Sequence, residues 1–347
     1  MIAMREDTSP PEPVAPGDLL TAGNAMPQAC CAERSGLDAR QQALAELGRW
    51  LLDEGYSFTT VTPATHARVN ARPADVNGDS LRDIFGWSRG FQPGTLPGRV
   101  LQLLRGADEL VPRYGQWFSA VRFSTLDGRL YVHSAYPTCG SDAVFFGPDS
   151  YRFAAFVAAT VPPARLMVDI GCGSGVGGLQ LAGRMDRLIL GDINPKALRY
   201  AQVNAAMGGW PHVECVASDI LDGVAEAPEV IIANPPYLVD ALARTYRNGC
   251  GPLGLELGVR IVRDAMSRLA PGGMLAMYSG APIIAGRDPL LAEIEPLLAA
   301  HRASYSYQEI DPDVFGEELE SSAYAKVDRI AAVTLVAVKP GNLETWS

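Results

Sequence analysis

Short apolar runs alternate with helical segments through the second half of the chain, and this alternation constrains the fold more than any other feature. Five such runs are Arg165–Asp169, Leu188–Asp192, Val213–Ser218, Val230–Ala233 and Met274–Ser279. Strands separated by helices pair in parallel, and a parallel sheet is covered by helices on both faces. Two further runs, Tyr305–Ile310 and Ile330–Val338, surround a polar insertion. The pattern predicts an α/β domain over residues 145–347, with a seven-stranded sheet in which one strand is reversed.

The first 144 residues lack this alternation. Residues 1–36 are rich in Pro, Ala, Gly and acidic residues without periodicity, which predicts a disordered tail. Apolar residues recur at helical spacing within residues 37–115, which predicts a small helical domain for substrate recognition. Trp117 to Tyr136 carries Asp127-Gly128 between two β-rich runs, the pattern of a hairpin. Residues 116–144 are therefore predicted to link the two domains.

The charge and the cysteine pattern narrow the possible partners. A net charge of −10 gives no general attraction for phosphate backbones or anionic membranes, so nucleic acid is a disfavoured partner. The six cysteines form no CxxC pair and do not alternate with histidines, so neither a zinc site nor a disulfide framework is expected. No basic start followed by an apolar stretch opens the chain, and no run approaches membrane-spanning length. We expect a cytoplasmic protein without a bound metal.

A glycine-rich turn follows the first predicted strand, in the segment Val168-Asp169-Ile170-Gly171-Cys172-Gly173-Ser174-Gly175-Val176-Gly177-Gly178. Such a turn lets a ligand approach the backbone closely. Its glycine spacing fits the dinucleotide fingerprint, and Asp192 stands about twenty residues further on, so a nicotinamide enzyme is one alternative. Asp169 argues against it, because a carboxylate repels a pyrophosphate but attracts a cationic amino-acid ligand.

A second polar turn, Asn234-Pro235-Pro236-Tyr237, ends the apolar run at Ala233. Two consecutive prolines fix the backbone and force the preceding Asn234 into an extended conformation. The Asn234 carboxamide and the neighbouring carbonyl then act as rigid hydrogen-bond acceptors, which suits a substrate that presents an NH2 group. A buried turn with a capping asparagine is the simpler structural alternative.

As a set, the motifs Asp169–Gly175, Asp192, Ser218-Asp219 and Asn234–Tyr237 resemble those of class I S-adenosylmethionine-dependent methyltransferases. More narrowly, they resemble the "methyltransferase small" group that includes the release-factor glutamine N-methyltransferases. The resemblance covers about residues 145–340, and Phe146–Tyr151 stands where that family has a segment over the cofactor. It implies a Rossmann-like methyltransferase sheet. The helical domain and the hairpin depart from the family's usual substrate-recognition domain.

The resemblance also implies roles for single residues around the cofactor S-adenosyl-L-methionine. Gly171, Gly173 and Gly175 lie under its methionine part, Asp192 accepts from the ribose hydroxyls, and Asp219 and Ile220 meet the adenine. The implied cofactor-binding residues are Asp169, Gly171, Cys172, Gly173, Gly175, Asp192, Ile193, Asp219, Ile220 and Asn234. For Asp192 a turn residue and for Asp219 a helix N-cap are the structural alternatives. Cys172 fits a small loop residue better than a nucleophile.

We call the segment Asn234–Tyr237 the acceptor corner and expect methyl transfer to take place there. Asn234, Pro235 and Tyr237 are the candidate catalytic residues, and together with Pro236 they form the candidate substrate-binding set. The Asn234 side-chain oxygen and the Pro235 carbonyl accept hydrogen bonds from the N–H groups of the methyl acceptor, and Tyr237 stacks on this planar group. We expect an N-methyltransferase that acts on a protein glutamine or a small molecule. A nucleic-acid amino-group methyltransferase and a cofactor-binding protein without turnover are the alternatives, and the oligomeric state is left open.

Overall fold

The computed structural model of this chain describes residues 36–72 and 77–341. The tail predicted over residues 1–36 lies, apart from Gly36, outside the described residues. The described residues from Leu37 onward group into one compact unit. The domain boundaries predicted at residues 115 and 144 fall inside this unit and stay predictions.

Four helices open the described chain, at Ala39–Asp53 (α1), Pro63–Asn70 (α2), Leu81–Phe85 (α3) and Gly98–Gly106 (α4). Helix α1 begins in a capping box, where the Asp38 carboxylate accepts from the Gln41 amide at 2.8 Å and the Gln41 side chain accepts from the Asp38 amide at 2.9 Å. The apolar spacing of the sequence predicts α1 and α4. It misses α2, because His66 is the helix's one buried residue and no apolar stripe marks it.

Two hairpins follow, β1 (Leu110–Arg113) with β2 (Gln116–Ser119) and β3 (Val121–Leu126) with β4 (Arg129–Ser134). The second is the predicted hairpin, and Asp127 and Gly128 form its turn with φ of 47° and 72°. The first corrects the prediction of a single hairpin over residues 117–136, because Trp117 lies on β2 and pairs with Pro112. Its turn at Tyr114-Gly115 lacks the Asn or Asp that usually marks such turns in a sequence.

Seven strands form the central sheet. They are β5 (Ala164–Ile170), β6 (Met185–Asp192), β7 (Val213–Ala217), β8 (Val230–Ala233), β9 (Met274–Ile283), β10 (Ser304–Asp311) and β11 (Arg329–Val338). Their order across the sheet is β10-β11-β9-β8-β5-β6-β7, and β11 runs antiparallel to both of its neighbours. The predicted α/β fold, with a Rossmann-like sheet and one reversed strand, is confirmed.

Helices cover both faces of this sheet, at Pro148–Thr160 (α5), Val176–Leu181 (α6), Pro195–Met207 (α7), Glu256–Arg268 (α8) and Pro289–Ala300 (α9). Strand β5 is apolar on both sides, as a central parallel strand must be. Val168 and Ile170 belong to the core that includes α8 and α9, whereas Met167 belongs to the core that includes α5 and α6. A third core joins α1 and the β3–β4 hairpin to α7.

The parallel strands β5, β6, β7 and β8 all end at the same edge of the sheet. The chain passes from β5 to β6 on one side, while β8 lies on the other side of β5. A crevice opens at such a reversal of strand order, outside the carboxyl ends of the strands. Asp169, Asp192, Ser218 and Asn234 lie at or just beyond these ends, so four segments far apart in sequence meet at one place.

Candidate active site

Asp169 provides a buried carboxylate near the end of β5, with 1% of its surface exposed. Its Oδ2 accepts from the Gly178 amide at 2.8 Å, whereas its Oδ1 has no hydrogen-bond partner among the described residues. Burial raises the pKa of this carboxyl to about 7; the Gly178 amide opposes the shift, and the nearby Asp192 adds to it. A buried carboxylate oxygen without a donor is costly, so the site fits a cationic partner.

The turn after β5 bends through backbone conformations that glycine adopts readily. Gly171 and Gly173 have φ of 63° and 55°, and a Cβ atom at either position would meet no protein atom within 4 Å. The space beside the turn is therefore open to a ligand. Gly175, with φ of 78°, is instead the N-cap of α6, where its missing Cβ faces Leu190. Burial raises the pKa of the Cys172 thiol well above its ordinary value, which keeps it protonated and unreactive.

Asp192 ties the end of β6 to the glycine turn. Its Oδ1 accepts from the Asn194 amide at 2.8 Å, and its Oδ2 accepts from the Gly173 amide at 2.9 Å. Burial raises the pKa of Asp192, and these two amides oppose the shift. Each oxygen keeps a further lone pair for a ligand hydroxyl. Beside it, Ile193 is 60% exposed. Asp192 and Ile193 line one cavity, in which the Ile193 side chain offers an apolar surface that a ring system can cover.

The turn after β7 holds Asp219 and Ile220. Ile220 is buried with φ of 53°, a conformation that is costly for a β-branched residue and that concentrates at functional sites. The Ser218 hydroxyl stabilises this turn, because it donates to the Ile220 carbonyl at 3.1 Å and accepts from the Gly223 amide at 2.9 Å. The Asp219 carboxylate lies closer to solvent, 3.1 Å from the Arg260 guanidinium.

The Asn234-Pro235-Pro236-Tyr237 corner begins where β8 ends. Asn234 is half-buried, and its carboxamide makes no hydrogen bond to another described residue, so it is available to a ligand. Tyr237 differs, because its ring is buried and its hydroxyl donates to the Asp149 carboxylate at 2.5 Å. The corner thus combines one side chain that is free to bind and one that is held in place.

Two adjoining cavities meet at this corner. We call the larger one the main cleft, and the predicted residues that line it are Asp169, Gly171, Cys172, Gly173, Asp192, Ile193, Asp219, Ile220, Asn234, Pro235 and Pro236. The smaller one, the side pocket, is lined by Phe145, Asp149, Asn234, Pro235, Pro236, Tyr237, Leu238, Tyr246, Arg247 and Phe315. Of the predicted site residues, Gly175 lines neither cavity and Tyr237 lines the side pocket alone.

Phe145 and Tyr246 line both cavities, and the motifs of the sequence do not include them. Their rings stack with centroids 5.7 Å apart and planes 3° from parallel. Tyr246 is held by a hydrogen bond from its hydroxyl to the Thr138 carbonyl at 2.9 Å, and Thr245 donates to the Ser141 carbonyl at 3.0 Å. The nearest signal in the sequence is the Phe146–Tyr151 segment, which adjoins Phe145.

Within residues 36–72 and 77–341, no group of three or more His, Cys, Asp or Glu side chains has a geometry that could hold a metal ion. In the same part of the chain, every helix is too short or too polar to cross a membrane.

Comparisons with known proteins agree on one kind of domain. Residues 153–283 match the family model of the methyltransferase small domain. A release factor glutamine methyltransferase of Deinococcus radiodurans is 32% identical over 165 residues, which cover 44% of this chain and 55% of that protein. A tRNA1(Val) (adenine(37)-N6)-methyltransferase of Aeromonas hydrophila is 33% identical over 127 residues, covering 34% and 53%. A putative protein N5-glutamine methyltransferase of Methanocaldococcus jannaschii is 28% identical over 138 residues, covering 38% and 68%. The chain thus spans about half the length of the first two of these relatives.

Proposed function

From the match of residues 153–283 to the methyltransferase small domain we propose that the protein is an S-adenosylmethionine-dependent N-methyltransferase. The main cleft is the proposed cofactor site, and the side pocket is the proposed acceptor site. One observation carries the proposal: Asp169 lines the main cleft, and its buried Oδ1 has no donor in the described part of the chain. S-adenosylmethionine, when bound, presents an ammonium group to such an oxygen and supplies the electrophilic methyl group.

The other residues of the main cleft suit the remaining parts of this cofactor. The open turn at Gly171 and Gly173 leaves room for the methionine chain, and Asp192 has lone pairs for the two ribose hydroxyls. Ile193 and Ile220 offer apolar surface to the adenine ring, and Asp219 an acceptor to its amino group. A dinucleotide fits poorly, because its pyrophosphate would lie among the carboxylates of Asp169 and Asp192.

The acceptor chemistry depends on Asn234 and the carbonyl that follows it. Asn234 lines both cavities, so its carboxamide oxygen can accept a hydrogen bond from the N–H group of the methyl acceptor where the main cleft meets the side pocket. In this proposal the methyl group passes from the cofactor to the acceptor at that junction. As the acceptor nitrogen gains positive charge, its N–H groups become stronger donors, and these hydrogen bonds tighten in the transition state. Holding the nitrogen at this junction also removes the entropic cost of the encounter.

We propose as the acceptor an amide or amine nitrogen of a protein, with a glutamine side chain first. One relative reported above is named as a release factor glutamine methyltransferase and another as a putative protein N5-glutamine methyltransferase. The arginine that lines the side pocket, Arg247, is already paired, because it contacts Glu318 and its Nε lies 3.7 Å from Asp240 Oδ1. A paired arginine is poorly placed to bind a phosphate backbone.

An amino group of a nucleic-acid base is the second candidate. The aromatic side chains of Phe145, Tyr246 and Phe315 in the side pocket favour it, because bases stack on such rings. The relative from Aeromonas hydrophila is named as a tRNA adenine methyltransferase. A small-molecule acceptor is compatible with the same pocket.

The experiment that tests these candidates uses S-adenosylmethionine labelled on its methyl group. The protein is incubated separately with a purified bacterial release factor, with unmodified tRNA, and with a small-metabolite extract, and mass spectrometry locates any added methyl group. Label on a glutamine nitrogen supports the first candidate, and label on a base supports the second. A protein that binds neither S-adenosylmethionine nor S-adenosylhomocysteine would refute the proposal as a whole.

A further inference from the structure

Asp149 is a buried carboxylate at which three donors converge, and the proposed chemistry does not use it. It lies in the first turn of α5 with 6% of its surface exposed. Its Oδ2 accepts from the Tyr237 hydroxyl at 2.5 Å, and its Oδ1 accepts from the Tyr278 hydroxyl at 2.9 Å and from Arg152 Nη1 at 3.1 Å. A carboxylate with this many donors holds each of them in a defined place.

The two tyrosines that share this carboxylate belong to the same core between the sheet and α5, and they differ in their relation to the side pocket. Tyr278 is fully buried on β9 and does not line this pocket. Tyr237 follows Asn234 and Pro235 in the acceptor corner, and it lines the side pocket. The same carboxylate therefore holds one residue that packs in the core alone and one that also forms a wall of the side pocket.

Among the described residues, Asp149 makes the only hydrogen bond to the Tyr237 hydroxyl. The ring itself packs on Gly280, where a Cβ atom would lie 2.2 Å from Tyr237 Cδ2, and it meets the edge of Phe315 with the ring centroids 5.9 Å apart. These contacts are apolar, whereas the hydrogen bond to Asp149 is directional and holds the hydroxyl end of the ring. Arg152 in turn links Asp149 to Asp311 at the end of β10, at 2.9 Å.

We propose that Asp149 is a positioning residue, which holds the Tyr237 ring at the angle that lets the side pocket grip a flat acceptor group against Asn234. The inference rests on the proposed function, because it takes the side pocket as the acceptor site. Asp149 acts through Tyr237, and loss of this restraint weakens acceptor binding more than it slows the chemical step. Tyr278 makes the second hydrogen bond to the same carboxylate and has no share in the side pocket, so it serves as the matched control.

The kinetic test compares Tyr237→Phe, Tyr278→Phe, Asp149→Asn and the double variant Asp149→Asn/Tyr237→Phe, with the acceptor that the labelling experiment identifies. We expect Tyr237→Phe and Asp149→Asn to raise the acceptor KM at least about fivefold, with kcat and S-adenosylhomocysteine affinity within about twofold of wild type. The double variant should be no worse than the poorer single variant, because both changes break the same contact. Tyr278→Phe should lower the melting temperature about as much as Tyr237→Phe while its KM stays near the wild-type value. Equal KM increases in both Phe variants, or an unchanged KM in Tyr237→Phe, would overturn the inference.

A second measurement needs no acceptor. The protein is labelled with 3-fluorotyrosine, and the resonance of Tyr237 among the 12 tyrosines is assigned by its loss in Tyr237→Phe. In Asp149→Asn this resonance should shift and broaden, whereas in Tyr278→Phe it should stay sharp. An unchanged Tyr237 signal in Asp149→Asn refutes the positioning role, whether or not an acceptor is known. If the wild-type protein transfers no methyl group but its Tyr237 signal responds as expected, the proposed function fails while the restraint by Asp149 stands.

Discussion

Cofactor affinity should depend on pH through Asp169. Its Oδ1 is buried without a donor from residues 36–72 or 77–341, and burial raises the pKa of this carboxyl to about 7 in the free protein. Below that pH the carboxyl is protonated and neutral, so it cannot pair with the ammonium group of the cofactor. Binding of the cation favours the ionised form and therefore releases a proton. Affinity should rise as the pH rises through 7 and then level off.

The size of the effect follows from that pKa. With a pKa of about 7 in the free protein and a carboxyl that stays ionised in the complex, the ionised fraction of the free protein falls about 25-fold between pH 7.5 and pH 5.5. The affinity for S-adenosylhomocysteine should fall by the same factor, or ~1.9 kcal/mol. Isothermal titration calorimetry at pH 5.5, 6.5 and 7.5, in buffers of different ionisation enthalpy, gives both the affinity and the number of protons released.

Three variants isolate the group responsible. Asp169→Asn keeps the size of the side chain and removes the titration, so its affinity should be low and nearly independent of pH. Asp219→Asn removes a carboxylate of the same cleft that already pairs with Arg260, and the pH dependence should remain. The nearby Asp192 carboxylate also raises the pKa of Asp169. Asp192→Asn measures how much of the pH dependence comes from this second carboxylate. If Asp169→Asn kept the full pH dependence, the assignment of Asp169 to the ammonium group would be wrong.

Further outcomes follow from the proposed site and from the predicted tail. Asn234→Ala should abolish methyl transfer and leave the affinity for S-adenosylhomocysteine within a few fold of wild type, because Asn234 mainly stabilises the transition state. A single-turnover rate of this variant near the wild-type rate would exclude a nitrogen acceptor. Asp192→Ala should weaken S-adenosylhomocysteine binding by about 1–3 kcal/mol in the same calorimetry, and NAD should give no binding heat to the wild-type protein. Deletion of residues 1–36 should leave the melting temperature and cofactor affinity unchanged, since their composition offers little apolar surface; a drop of many degrees in differential scanning fluorimetry would contradict this.

Much of the fold was predictable because its signals are local. The strand cores at Val168, Leu190 and Ile232 lie in short apolar runs, and the runs alternate with helical segments whatever the rest of the chain does. The turn at Asp127-Gly128 carries its own conformational preference. Helix α2 and the β1–β2 hairpin escaped prediction because neither an apolar stripe nor a typical turn pair marks them in the sequence.

The polar residues of the main cleft were predictable for a related reason. Asp169, Asp192, Asp219 and Asn234 each follow or end a predicted strand, and parallel strands bring their carboxyl ends to one edge of a sheet. The resemblance named these residues, and the strand pattern gives the physical reason why they meet there. Gly175 differs from Gly171 and Gly173, because it caps α6 and does not line the main cleft. A glycine that caps a helix and a glycine that lines a cleft look alike in the sequence.

The tertiary structure decided the contacts between segments that no local pattern connects. Tyr237 contacts Asp149 across 88 positions, and Phe145 stacks on Tyr246 although strands β5 to β8 lie between them in sequence. No motif in the sequence connects either pair. Nor could the sequence show that the Oδ1 of Asp169 would find no donor among the residues that the structure describes, since burial depends on everything packed around it. The sequence by itself determined the fold and the polar residues that lie at the carboxyl edge of the sheet, because both depend on short-range patterns. The shape of the side pocket and the charge state of Asp169 depend on long-range packing, which only the folded chain establishes.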